Sequence, residues 1–167
     1  MKIHGLQKMT LLDFPGKVAC TVFLGGCDMR CPFCHNAELI DGTAPAVMEE
    51  EELLAFLKKR TGLLEGVAIT GGEPLLREDT ITLAEKIRDL GYPLKLDTNG
   101  THPDRLRKIL DRGLAAYVAM ELLTRTELSM REVASRSGFG SVATFNRAFR
   151  EKNGCTPSKY RAIYGGR

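Results

Sequence analysis

The stretch VACTVFLGGCDMRCPFCH, residues 18–35, sets an apolar run directly before three cysteines. The segment Lys17 to Gly25 is apolar and β-branched, which predicts a buried parallel strand. Cys27, Cys31 and Cys34 then follow at Cys-x3-Cys-x2-Cys spacing. Three thiolates can hold a 4Fe-4S cluster and leave one iron without a protein ligand, open to a substrate or cofactor, whereas four cysteines would close every position. Zinc is the alternative, with His35 as fourth ligand, although adjacent Cys34 and His35 would struggle to reach one tetrahedral ion together.

Further short apolar runs at Gly66 to Thr70, Pro93 to Asp97 and Ala115 to Met120 predict three more strands. Helical spacing over Met48 to Lys59, Thr80 to Leu90 and Pro103 to Arg112 places a helix between each pair. The glutamates at 49–52 suit the electropositive first turn of a helix, and a solvated helix end is a simpler reading of them than a metal site. The order βαβαβαβ predicts an α/β fold with a parallel sheet and right-handed crossovers. Ligands of such sheets collect at the carboxyl ends of the strands. Three loops fall there: the cysteine loop, Gly71-Gly72-Glu73-Pro74, and Asp97-Thr98-Asn99-Gly100. Singly, Gly-Gly and Asn-Gly are ordinary turns. Cys20, inside the first strand, reads as a small buried hydrophobe, and His4 and His102 stand without a partner that sequence identifies.

At 167 residues the chain has room for one ordinary domain, or a short one with an appendage. Residues 1–121 carry about 15 Lys/Arg against 18 Asp/Glu, and residues 122–167 about 9 against 3, so an acidic front precedes a basic tail with different partners. The start MKIHGLQKMT lacks a basic segment followed by an apolar core, and no run approaches membrane-spanning length. The expectation is a cytoplasmic protein with no membrane contact. Five cysteines, three of them clustered, fit a metal site in a reducing compartment better than a disulfide framework.

Together the three loops resemble the radical S-adenosylmethionine superfamily. GCDMRCPFCHNAEL is most similar to the activating enzymes of glycyl-radical proteins, and LQKMTLLDFPGKVACTVFLGGC to the anaerobic ribonucleotide reductase activators among them. The resemblance covers residues 1 to about 120. It implies a 4Fe-4S cluster on Cys27, Cys31 and Cys34 whose free iron chelates S-adenosylmethionine, with reductive cleavage to methionine and a 5'-deoxyadenosyl radical. It further implies that Phe33, Cys34 and His35 lie near the adenine, that Gly71, Gly72 and Glu73 take the methionyl ammonium, and that Thr98 and Asn99 line the ribose or methionyl side. For Thr98 and Asn99 a turn that touches nothing is the alternative. The implied partners are a glycyl-radical enzyme, such as an anaerobic ribonucleotide reductase, and an electron donor such as flavodoxin or ferredoxin.

The pattern departs from that family at residue 121. Ala116 to Met120 is followed by Glu121, Leu122 and Leu123, where the family has an acidic residue, an apolar residue and a lysine before further βα units. Ser129-Met130-Arg131-Glu132 instead predicts a capping box, Gly138 a stop, and Ser141 the cap of a second helix to about Lys152. Phe145, Ala148 and Phe149 share its inward face, and Thr156-Pro157 opens a last short helix. This stretch resembles the second helix-turn-helix of AraC/XylS-type regulators. By that resemblance Thr144, Asn146 and Arg147 face base edges, with Arg147 suited to guanine, and Arg150 is among the phosphate contacts. Cys155 has no evident partner.

The expected architecture is therefore a truncated radical-SAM partial (βα) barrel with parallel strands over residues 1–121, followed by a small all-α helix-turn-helix domain over 122–167. Three functions follow: a glycyl-radical activating enzyme, a DNA-binding regulator whose front part senses redox state or S-adenosylmethionine, and a chimera with neither function complete.

Overall fold

The computed structural model of the chain describes residues 1–164 apart from 15, 33, 116, 121–128, 137–140 and 154. The elements in chain order are strands β1 (Lys2–Ile3), β2 (Gly5–Thr10), β3 (Ala19–Leu24) and β4 (Met48–Glu49), helix α1 (Glu50–Lys59), β5 (Gly66–Gly71), α2 (Asp79–Asp89), β6 (Leu94–Thr98), α3 (Pro103–Asp111) and β7 (Tyr117–Met120). Three helices follow, α4 (Met130–Arg136), α5 (Val142–Asn153) and α6 (Pro157–Tyr164).

The main sheet has the order β2-β3-β5-β6-β7. The pairs β3/β5, β5/β6 and β6/β7 are parallel, as the alternating pattern predicts. Apolar side chains at alternate strand positions, Cys20, Val22, Leu24, Val67, Ile69, Leu94 and Leu96, share one core with Leu53 and Leu57 of α1, Leu83 and Ile87 of α2, and Leu106 and Ile109 of α3. Side chains alternate across a strand, so Thr21, Thr70, Lys95 and Asp97 belong to the opposite face. Lys95 Nζ donates to Asp97 Oδ1 at 2.6 Å there, and Thr21 Oγ1 donates to Asp13 Oδ2 at 2.5 Å. Burial pushes the Asp97 carboxyl up, against the pull of Lys95.

The sheet is not wholly parallel. β2 runs antiparallel to β3, with Gly5 opposite Phe23 and an irregularity between Gln7 and Thr10. Its sequence, GLQKMT, is half exposed and lacks the continuous apolar character that marked the other strands. Met48, expected to begin a helix, pairs with Ile3 in a small second sheet of β1 and β4. The helix starts at Glu50, and Glu52 Oε2 accepts from the backbone N of Glu49 at 2.9 Å. Glu50 departs from the expected solvated end, because its buried carboxylate accepts from Lys86 Nζ at 2.6 Å. Cys20 is 0% exposed and burial pushes its thiol up to about 12, which agrees with a small apolar role.

The last three helices carry an apolar cluster of their own. Val133 and Phe145 are fully buried among Met130, Val142, Phe149 and Tyr160. Phe149 bridges Phe145 and Tyr160 with ring centroids 5.7 and 5.3 Å apart. The capping box at Ser129 forms, with Ser129 N donating to Glu132 Oε2 at 2.9 Å and Glu132 N to Ser129 Oγ at 3.3 Å. Gly138, Phe33 and the division expected at 121/122 lie outside the described residues. Among the described residues, no helix is long and apolar enough to cross a membrane.

Candidate cofactor site at the strand carboxyl ends

Parallel strands β3, β5 and β6 end side by side, at Leu24, Gly71 and Thr98. Their following loops meet, as the rule for such sheets requires. The cysteine loop is pinched at its base, where Gly26 N donates to Leu39 O at 2.7 Å and Cys27 N to Ile40 O at 2.8 Å. Asn36 Nδ2 ties its far end to Gly71 O at 3.2 Å.

The second loop lies directly on the first. Gly72 N donates to Leu24 O and Glu73 N to Gly26 O, both at 2.8 Å. An ideal Cβ on Gly72 would stand 2.1 Å from Gly26 O, and one on Gly71 2.4 Å from Leu24 O. The glycine pair is thus required by backbone crossing backbone, a constraint that Gly-Gly in a sequence does not separate from an ordinary turn.

Glu73 is 1% exposed. Its Oε1 accepts from Leu75 N at 2.7 Å and Thr98 Oγ1 at 2.8 Å, and its Oε2 from Asn99 N at 2.6 Å. Burial pushes this carboxyl up, and the three donors oppose that shift. Asn99 in turn reaches the cysteine loop, with Nδ2 3.8 Å from Cys27 Sγ and 3.0 Å from Asp28 Oδ1. The turn at Thr98 and Asn99 therefore touches both other loops.

Three residues outside the expected set complete the site. His102 Nε2 lies 3.2 Å from Asp28 Oδ2, off the line of a hydrogen bond. Arg105 NH1 donates to Leu75 O and Leu76 O, both at 2.8 Å, and stands 3.3 Å from His102 Nδ1. Burial works against ionisation of Asp28, yet donors from Thr101 and Asn99 and the nearby His102 hold its carboxyl below the usual range. No local pattern announces these contacts, because Asp28 and its partners are more than 70 residues apart in the chain. His4, the other solitary histidine, has Nδ1 2.9 Å from Ala44 O.

The thiols of Cys27, Cys31 and Cys34 are free. Cys27 is half-buried, and burial raises its thiol above the ordinary range, with the Met29 N–H at 3.4 Å opposing. Cys31 and His35 are exposed, and Cys34 N donates to Cys31 O at 3.1 Å. Among the described residues, no three His, Cys, Asp or Glu side chains already stand close enough to hold an ion. The donor set still fits an iron-sulfur cluster: three free thiols on one loop, with the first receiving N–H donors from Asn99 and Met29. Such hydrogen bonds to cluster sulfurs tune iron-sulfur sites. In the C-terminal helices Asn146, Arg147 and Arg150 line a cavity of 450 Å³ together with Thr156. The side chain of Thr144 lies outside the described residues.

Residues 21–153 match the family model of the radical SAM superfamily, whose members use a 4Fe-4S cluster and S-adenosylmethionine. A Methanocaldococcus jannaschii protein named as a glycyl-radical enzyme activating enzyme is 33% identical over 74% of this chain and 50% of its own length. The pyruvate formate-lyase-activating enzyme of Clostridium pasteurianum is 33% identical over 59% of this chain and 43% of its own. The 7-carboxy-7-deazaguanine synthase of Halobacterium salinarum is 36% identical over 54% of this chain and 36% of its own. The chain thus spans half or less of the length of these curated relatives. With the family model covering most of the sequence and the cysteine loop intact, the chain belongs to the radical SAM superfamily.

Proposed function

We propose that the chain is a radical S-adenosylmethionine protein of the glycyl-radical activating type, with Cys27, Cys31 and Cys34 as the cluster ligands. The observation that carries this reading is the convergence of Cys27, Glu73 and Asn99 at one rim of the sheet. When bound, cluster and cofactor supply one-electron cleavage of the sulfonium to methionine and a 5'-deoxyadenosyl radical, which takes a hydrogen atom from a glycine of a partner protein. The chain's own residues position that chemistry. Gly71 and Gly72 bring the β5 loop against the cysteine loop, and Glu73 fixes Thr98 and Asn99. Phe33 and His35, beside the last cysteine, are assigned to the adenine side. The partner is a glycyl-radical enzyme of the anaerobic ribonucleotide reductase kind, and a flavodoxin or ferredoxin supplies the electron in a reducing cytoplasm. The two relatives named for glycyl-radical activation support this choice of substrate class.

Anaerobic reconstitution with iron and sulfide is expected to give a brown protein with a reduced-cluster electron paramagnetic resonance signal that changes on adding S-adenosylmethionine. Reduced protein should release 5'-deoxyadenosine, and replacing all three cysteines with alanine should remove both signal and product. A wild-type chain that takes up iron and sulfide without forming such a signal sinks the reading.

The cavity beside α5 favours a second reading, a DNA-contacting module over residues 122–167 joined to a cluster domain over 1–121. Two arginines, an asparagine and a threonine around one opening suit a phosphate oxygen, and the AraC/XylS resemblance assigns Asn146, Arg147 and Thr144 to bases and Arg150 to the backbone. Duplex DNA binding should then weaken steeply with salt. Replacing Arg147 and Arg150 together with alanine should lower affinity about tenfold or more and reduce the salt slope by about 2. Unchanged binding in that double variant would count against DNA contact here.

A further inference from the structure

We propose that Asp28, His102 and Arg105 form a strap that fixes the Cys27 corner of the cysteine loop, so that this corner holds iron more firmly than the exposed arc around Cys31. The inference rests on Cys27 being a cluster ligand, and the strap itself is a property of the polypeptide. Arg105 is a donor only, so the ring nitrogen it approaches, His102 Nδ1, acts as acceptor and the ring proton sits on Nε2. Nε2 points toward Asp28 Oδ2, 3.2 Å away. It is buried and has no in-line hydrogen-bond partner, an arrangement that native structures keep only with a reason. The other oxygen of Asp28 accepts from Asn99 Nδ2 at 3.0 Å. Asp28 is therefore gripped on one side by the loop after β6 and on the other by the first turn of α3.

Arg105 carries the strap to the third loop. Its bonds to Leu75 O and Leu76 O hold the turn that follows Glu73, so one guanidinium links α3 and the β5 loop. Every load-carrying contact lands on Cys27 or its neighbour. Cys31 is exposed, and the backbone of Cys34 is tied only within its own turn, to Cys31 O. Ligand-bearing loops with one pinned corner lose less entropy on closing around a metal, and outer partners that orient a ligand commonly change metal affinity by about 10–100-fold. His102 also precedes α3 as its N-cap residue. A role confined to that helix would act on residues 103–111 and leave the cysteine loop unchanged.

The test uses the full-length chain before and after anaerobic reconstitution, with variants His102→Ala, His102→Gln and Asp28→Asn. In the metal-free chain, His102→Ala should speed amide hydrogen exchange over residues 27–31 about tenfold while leaving residues 103–111 within about twofold. After reconstitution, iron release to a chelator should be about tenfold faster in His102→Ala and near wild type in His102→Gln, which restores a donor. Cluster potential should move in opposite directions, upward in Asp28→Asn, where a negative charge beside Cys27 is lost, and downward in His102→Ala, where that charge loses its screen. Exchange over 27–31 that is unchanged in His102→Ala overturns the strap, and changed exchange with unchanged iron release overturns its bearing on the metal. If the wild type binds no cluster, the functional reading fails, while the exchange data still decide the strap.

Discussion

Gly72→Ala is expected to destabilise the chain by about 4 kcal/mol or more and to abolish cluster uptake. The added methyl would sit 2.1 Å from Gly26 O and 2.7 Å from Gly26 C, which are backbone atoms with no rotamer to yield. Gly26 cannot retreat easily either, because its N donates to Leu39 O and its carbonyl accepts from Glu73 N. Relief must separate the cysteine loop from the β5 loop, which dismantles the site. Gly91→Ala is the matched control. Gly91 has φ +88° but nothing within 4 Å of its Cβ position, so its substitution strains only the local backbone, at about 1–2 kcal/mol. Urea midpoints at unchanged m-value measure both. A Gly72→Ala chain within about 1 kcal/mol of wild type would mean that the two loops do not cross as described.

The four parallel strands and three intervening helices were legible because their residues are buried in a regular alternation, as at Val67, Ile69, Leu94 and Leu96. The antiparallel edge strand β2 was not, since a half-exposed segment such as GLQKMT carries little periodic signal. The same split runs through the site. Cys27, Gly72, Glu73 and Asn99 announce themselves by motif, and the structure joins them by direct contacts. Asp28, His102 and Arg105 occur in no local pattern, and their relation exists only once the carboxyl ends of β3 and β6 are neighbours of β5. Glu73 lies between these cases. Its place in Gly-Gly-Glu-Pro marks it for the site, while the three donors that converge on its carboxylate come from two loops and are visible only in the fold.

Glu73→Ala is the second large effect, and its cause is electrostatic rather than steric. Removal of the carboxylate leaves Leu75 N, Asn99 N and Thr98 Oγ1 without their acceptor at a position 1% exposed. Each orphaned buried donor costs about 1–3 kcal/mol, so the loss should reach about 3 kcal/mol or more. Asn99 is then released from behind, and its contacts to Cys27 and Asp28 weaken, so cluster uptake should fall with stability. Glu73→Gln separates the contributions. Its single oxygen can still serve Leu75 N and Thr98 Oγ1, but its amide faces Asn99 N donor to donor, for a cost of about 1–3 kcal/mol at neutral pH. The pH dependence has a definite sign. Burial raises the Glu73 carboxyl in the folded chain, against the donors, so the folded state binds the proton more tightly than the unfolded state. Stability from this group is fully present below the unfolded carboxylate range and is lost as pH rises through the raised folded value. Asp97 is raised by burial as well and contributes a slope of the same sign, so the informative quantity is the difference between Glu73→Gln and wild type at each pH. That difference should shift in favour of Gln as pH rises through the weakly acidic range, with Asp97 cancelling between the two chains. A difference that is flat, or that shifts toward wild type, would show that the three donors outweigh burial and that Glu73 folds as a strongly held carboxylate.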